Sequence, residues 1–353
     1  MSSTTGRTHV MMLEPSIKTC SIPVVLIHGD YHTGDIWGPK PDNKPGWAEF
    51  FVKSGFTVYI LDLPFRARPK PRSSGGKPIT QLRAQMVEYH FTAPEKVKNL
   101  DWPSAHTHTQ WPGTGLRGDP FFERYMRRVV PEFLDRRERQ TAGQRALAIF
   151  LDKVGPSILI GQGSGANLAW LAADLMPHRV VGIVAIEPAG PPFSQAARID
   201  EQEGRHRYTP KFHYAQNVRQ YGIADIPLQF NPPPVQGTFA DLLGLDDNDF
   251  QPIPNPLRQL PNLRNIPQII VTGEASPHSL FDWATFKWLK QAGVPVQHIE
   301  LQHVGLRGNG HLCFLEKNSD EIAGFLLKWM RQNVPAIRQQ FNAALEASRT
   351  PVQ

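Results

Sequence analysis

Two cysteines in 353 residues, Cys20 and Cys313, are too few and too far apart in sequence to staple a small fold or to supply a metal cluster. No run of 18 apolar residues occurs, and Met1 to Cys20 lack the apolar stretch of a secretion signal. These absences predict a cytoplasmic protein with free thiols and no membrane partner. Charge of one sign is scarce as well. The net charge is +6, and the one dense basic run, Arg66, Arg68, Lys70 and Arg72, is interleaved with prolines and reads as a solvated loop. With no recognition motif beside it, nucleic acid is excluded as a partner. Proline is abundant: 33 residues, nearly double the usual share of about 5%, so long stiff loops are expected. The length suits a single α/β domain over residues 1–353 that carries insertions.

Short apolar runs mark buried strands at Ile22 to Ile27, Thr57 to Leu61, Ser157 to Ile160, Val180 to Ile186, Gln268 to Val271 and Val296 to Leu301. Rich in Val and Ile and without polar alternation, they suit a mainly parallel sheet flanked by helices on both faces. Helical patterns at Gly165 to Leu175, Ser279 to Gln291 and Ser319 to Gln332 complete the alternation of a doubly wound α/β fold. Residues 64–140 and 188–262 break it with proline-rich and aromatic segments. Loops of that length inside a compact domain are usually functional, and both read as lid segments over the carboxyl ends of the strands, where open α/β sheets bind ligands.

The most specific segment runs Ser157-Ile-Leu-Ile-Gly161-Gln162-Gly163-Ser164-Gly165-Ala166. A buried strand turns sharply into a helix with glycines two before and two after residue 163, the layout of a nucleophile elbow, G-x-S-x-G. The flanks must be small because the turn crowds backbone against backbone. In this register the nucleophile position is Gly163. A rival register makes Ser164 the nucleophile but puts Gln162 and Ala166 at the crowded flanks. A phosphate loop would need G-x-G-x-x-G or a Walker lysine, and neither is complete here.

The first strand ends in His28-Gly29-Asp30-Tyr31, and a late loop reads Gly305-Leu-Arg-Gly-Asn-Gly310-His311. With the elbow, these motifs resemble the α/β-hydrolase superfamily. Ile183-Val-Ala-Ile-Glu187-Pro, Leu260-Pro-Asn-Leu263, Thr272-Gly-Glu274-Ala-Ser276 and the late loop through Asn318 are similar to an esterase-like family, well represented in fungi, whose catalytic acid is a glutamate. The resemblance spans most of residues 20–335. It implies an α/β-hydrolase fold, His311 as the catalytic histidine, Glu187 as its acid with Glu274 as the rival, and an oxyanion hole from the backbone amides of Asp30 and Ser164. The departure is Gly163, where the family carries serine.

Around these, Trp111, His106, His108 and Tyr31 are candidate substrate contacts, with Trp102 and Phe121 on the lid side of an apolar pocket. His106 and His108 alternate along a segment that reads as extended, but no further His or Cys cluster lies near them, so no metal and no cofactor is expected. Three functions remain. One is an enzyme without an acyl-enzyme step, using His311 and Glu187 for condensation, lyase, dehydration or cyclisation chemistry on a polyketide-like small molecule of fungal secondary metabolism, as the resemblance suggests. The second is a serine esterase in which Gly163 replaces the serine. The third is a small-molecule-binding pseudoenzyme. A homodimer is compatible with each.

Overall fold

The structure, a computed structural model, describes residues 8–64, 79–97, 102–199, 207–214, 218–233 and 258–349. The basic run at 66–72 and the stretch 234–257 of the second insertion lie outside these residues.

Among the described residues, eleven strands run in chain order: β1 (His9–Leu13), β2 (Cys20–Ile27), β3 (Phe56–Asp62), β4 (Ile79–Thr80), β5 (Glu132–Phe133), β6 (Ser157–Gln162), β7 (Val180–Ile186), β8 (Ser194–Ile199), β9 (Arg207–Tyr214), β10 (Gln268–Thr272) and β11 (Val296–Glu300). Eight α-helices accompany them: α1 (Trp47–Lys53), α2 (Ala84–Val87), α3 (Pro120–Met126), α4 (Arg136–Val154), α5 (Ser164–Leu175), α6 (Asp282–Gln291), α7 (Ser319–Asn333) and α8 (Pro335–Arg349). Seven strands form one sheet in the order β1-β3-β2-β6-β7-β10-β11. All its pairs are parallel except β1 with β3. The pairs β4–β5 and β8–β9 are small antiparallel ribbons in the two insertions.

The continuous apolar runs are explained by two cores, one on each face. Val24 and Leu26 of β2 join Val58, Ile60, Ile158 and Ile160 in one core, closed by Trp47 and Phe51 of α1 and by residues of α7 and α8. Val25 and Ile27 point the other way, to Leu61, Leu159 and Ile183, against Leu147, Leu151, Trp288 and Leu289 of α4 and α6 and most of α5. Successive strand residues face opposite ways, so both sets must be apolar. Each fully buried side chain of this size contributes about 1.5–3 kcal/mol.

The sequence reading places the six predicted strands within one or two residues of those observed, and the expected α/β-hydrolase architecture is the one found. It passes over β1, α1, α4 and α8. Helix α4 starts inside the expected 64–140 insertion, so that boundary runs into the scaffold itself. No described helix is long and apolar enough to cross a membrane.

The strand order reverses around β2, which lies between β3 and β6. The carboxyl ends of β2, β6, β7 and β10 therefore open onto one edge, the place where such sheets hold ligands.

Candidate active site

The elbow is built as the glycine spacing requires. Gly163 links β6 to α5 with φ 54° and ψ −126°, and its N–H donates to the Ile186 carbonyl at 2.9 Å. A Cβ on Gly161 would stand 2.5 Å from the Ala166 nitrogen, and one on Gly165 would stand 2.5 Å from the carbonyl oxygens of Ile27 and His28. Both flanks must be glycine. A Cβ on Gly163 would meet only the Gly29 Cα, at 3.8 Å. Residue 163 is thus the centre of the turn, with room for a side chain it does not have. Ser164 opens α5, and its hydroxyl donates to Asp30 Oδ1 at 2.5 Å rather than to a histidine.

His311 faces this turn. Its Nδ1 lies 2.5 Å from Glu187 Oε2, and its Nε2 lies 2.8 Å from Gln162 Nε2. Glu187 follows β7 and is fully buried in a left-handed conformation with φ 45°. Such backbone is costly for a non-glycine residue and persists where surrounding bonds fix it. Here the Gly273 N–H donates to Oε1 at 2.7 Å and the Ser276 hydroxyl to Oε2 at 2.6 Å. A carboxylate so bonded, with the histidine as its remaining partner, orients the ring and holds the proton on Nδ1.

The imidazole of His311 lies between two rings, Phe91 with centroids 5.2 Å apart and His278 at 4.8 Å. Burial holds His278 neutral, with its pKa down to about 3. Its Nδ1 contacts Asp282 Oδ1 at 2.9 Å, and Asp282 in turn accepts from the Thr272 hydroxyl. Burial pushes the Asp282 carboxyl up to about 7. Glu187, His278 and His311 bring ligand-type atoms within 4.8 Å of one another. Their hydrogen bonds to one another, to backbone and to Ser276 and Asp282 are those of an acid–base pair and its supports.

Asp30 lies opposite the start of α5 and joins a network that sequence reasoning missed. Its Oδ1 accepts from Ser164 and from Arg139 at 2.7 Å. Arg139 also reaches Glu132 Oε1 at 2.5 Å, and Glu132 Oε2 takes the Tyr31 N–H at 2.8 Å. The two loops expected to supply the oxyanion amides are thereby tied to each other and to α4. The signal was Arg139 in a helix that had not been recognised. A cavity of about 190 Å3 opens beside Asp30 and Ser164, lined among others by Arg136, Arg139, Arg219 and Asp225. Its wall mixes these charged groups with Leu63, Pro64, Leu168 and Ala189.

Other expected residues lie elsewhere. Glu274 accepts from Arg307 at 2.7 Å and from the Gly308 N–H at 2.8 Å, and the Arg307 guanidinium holds its carboxyl below the usual range. It braces the late loop and does not meet His311. His106 lies in a 3-10 turn that Pro103 opens over Pro103–Thr107, and His108 follows the turn with extended backbone. His106 is exposed and bonds the Pro103 carbonyl. His108 is buried with both nitrogens engaged, Nδ1 to Glu95 at 2.9 Å and Nε2 to Glu316 at 2.7 Å. Burial alone would lower its pKa, but the two carboxylates outweigh it and raise it to about 9. A closed ion triad of this kind leaves no nitrogen for a substrate. Trp111 packs in the core against Tyr125, with centroids 5.6 Å apart, and Trp102 is buried with its indole N–H on the Ala275 carbonyl. Phe121 is half-buried under the guanidinium of Arg124. Tyr31 sits beside Asp30 in a left-handed conformation, φ 61°, packed against the first core.

The comparisons with known proteins agree with this scaffold. A sequence model described as "Alpha/beta hydrolase family" matches residues 24–325. A fungal protein named "Probable secreted lipase phiG", from Fungal sp. (strain ATCC 74256), is 35% identical over 324 residues, covering 90% of this chain and 84% of its own. Among solved structures, a novel bacterial esterase superposes with a TM-score of 0.61 at 17% identity, covering 93% of this chain and 86% of that one. With the family model spanning most of its length, the chain belongs to the alpha/beta hydrolase family.

Proposed function

We propose that this protein is an alpha/beta-hydrolase-fold enzyme that acts without a covalent serine intermediate, using His311 as general acid–base, Glu187 to orient it, and the amides of Asp30 and Ser164 to stabilise a developing oxyanion. The observation that carries this reading is the elbow itself. The turn is fully formed, its centre bears no hydroxyl, and the histidine and its acid remain in hydrogen-bond contact. A binding protein would have no use for an oriented imidazole beside a strained turn.

General acid–base catalysis and oxyanion stabilisation contribute together without a nucleophile: about 10²–10⁴-fold for the positioned proton carrier and a further 10²–10³-fold per oxyanion donor. Condensation, retro-aldol cleavage, dehydration and cyclisation all need a proton moved beside a carbonyl whose oxygen gains charge. A polyketide-like small molecule from fungal secondary metabolism is the substrate class we propose, held under segments 64–140 and 188–262 as a lid. The cytosol is the proposed compartment, read from two buried thiols; cell fractionation decides between it and export, the location given in the fungal relative's name. That name, with its lipase, also favours ester hydrolysis as the second reading. Rapid-mixing kinetics with an activated ester separates the two. Acid–base chemistry without acylation predicts no stoichiometric burst from the chain and, in Gly163→Ser, loss of the native reaction with little ester hydrolysis gained, whereas a gain in ester hydrolysis of orders of magnitude in that variant marks a substituted hydrolase. A burst from the glycine form would establish the hydrolase.

A further inference from the structure

Gln162, before the centre of the elbow, carries a side chain that the acid–base reading has not used. It is 2% exposed, and its amide lies 2.8 Å from the nitrogen of His311 that a serine hydroxyl would otherwise meet. The amide orientation follows from the ring. With Nδ1–H directed at Glu187, Nε2 presents a lone pair, and only an N–H can face it. The carboxamide oxygen is then left buried with no hydrogen-bond partner among the described residues. It lies over Gly29, 2.2 Å from where a Cβ on that residue would be. Any side chain at Gly29 would evict it. A buried acceptor without a donor costs about 1–3 kcal/mol, so the carboxamide is held at the reaction centre in a half-satisfied state.

We propose that Gln162 is a displaceable plug that fills the place of the missing nucleophile, and that the substrate is a hydroxyl-bearing carbonyl compound whose O–H takes over the amide's bond to His311. The inference rests on the acid–base reading of the site and deepens it by naming what the base acts on. Two consequences follow from hydrogen-bond accounting. Exchanging an N–H for an O–H on Nε2 keeps the buried lone pair satisfied, so a protic ligand leaves only the displaced amide to find a new partner. An ether or simple ester offers no such donor and leaves both His311 Nε2 and the displaced amide to find other partners. The proton step is then balanced: the substrate O–H bond breaks, an N–H bond forms at Nε2, and the electron pair stays on the substrate oxygen. The resulting imidazolium keeps its Nδ1–H on Glu187. As the substrate displaces it, the carboxamide's unpaired oxygen becomes available to a second donor on the ligand. Gln162 is in this account a positioning and specificity residue.

Two measurements on the full chain test it without relying on turnover. The first is the rate at which diethyl pyrocarbonate modifies His311, read by peptide mass, with His9, whose side chain is 72% exposed, as the internal reference. In Gln162→Ala the His311 rate should rise at least tenfold while the His9 rate stays constant. Gln162→Met, of similar length without a donor, carries the same expectation if the alanine variant proves unstable. Equal His311 rates in the original and the variant would overturn the plug. The second is calorimetric binding of diacetone alcohol and of its methyl ether. The original chain should prefer the alcohol by roughly ten- to a hundredfold, the equivalent of one buried unpaired group, and in the variant the preference should fall to a few-fold. Equal binding of the pair, or a preference unchanged by the substitution, would refute the proposed substrate class. A burst with an activated ester would instead defeat the acid–base reading, so the two failures are distinguishable.

Discussion

Two histidines of this protein each meet a carboxylate through a short hydrogen bond, yet their surroundings fit opposite tasks. His108 sits between Glu95 and Glu316, both nitrogens closed by carboxylates, and is held as a cation with a pKa near 9. His311 meets one carboxylate at Nδ1 and only a neutral amide at Nε2. A histidine locked between two anions clamps structure: Glu316 also accepts from the Asn309 amide and the Gly310 N–H, so His108 fixes the loop that carries His311. A histidine with one carboxylate and one displaceable partner can take up and return a proton. The difference lies in the second partner, since both have the first.

The largest effect expected from breaking this comparison is His311→Ala, which should lower turnover by about 10²–10⁴-fold or to background; an undiminished rate would place the chemistry elsewhere. Next, Glu187→Gln should reduce kcat by no more than His311→Ala does, within about 10²–10⁴-fold, since a neutral amide no longer dictates the tautomer. Glu274→Gln should change it by at most a few-fold, because Glu274 pairs with an exposed arginine and not with the histidine. Reversed effects for the two glutamates would reassign the acid.

His108→Gln should act on stability rather than chemistry. Removing one member of a buried ion triad costs about 3–5 kcal/mol, and activity per folded molecule should be retained. The pH dependence has a definite sign. The pKa of His108 is raised on folding from 6.5 to about 9, so its contribution is fully present below about pH 6.5 and disappears as pH rises through about 9. Denaturant titrations across that window should show the original losing stability that His108→Gln never had. Parallel curves for the two proteins would contradict the ion triad.

Much of the scaffold was legible because its causes are local. Strands buried on both faces must be apolar throughout, so β2, β6, β7 and β10 announce themselves. Gly161 and Gly165 are spaced by a steric demand that the structure shows directly, with backbone 2.5 Å from each absent Cβ. The family resemblance, with the late-loop motif and the chain order, pointed to His311 and Glu187, and the structure puts them in contact. What was not legible depended on distant partners. Edge strand β1 pairs on one side only, and its Val10, Met11 and Met12 are exposed, so it lacks the signature of a buried strand. Helix α4 is polar through its first half, yet Asp135 caps it by accepting from the Glu138 N–H and Gly155 ends it at φ 92°; the Asp-x-x-Glu spacing was a usable signal. His108 looked like a ligand contact because nothing in its neighbourhood reveals Glu316, 208 residues away. Gln162 drew attention only as the wrong flank of a rival register, since its contact with His311 spans 149 residues.

The central claim is that a complete elbow and an oriented histidine act here without a nucleophilic hydroxyl. The most direct test is the intact mass of the chain after incubation with a serine-directed fluorophosphonate, with Gly163→Ser as the positive control. The account predicts an unchanged mass for the glycine form, and for the serine form a single added phosphonyl group at residue 163, lost on His311→Ala. A stoichiometric adduct on the glycine form, mapped to Ser164, would contradict it: Ser164 would then be the nucleophile, and the chain a serine hydrolase in the rival register.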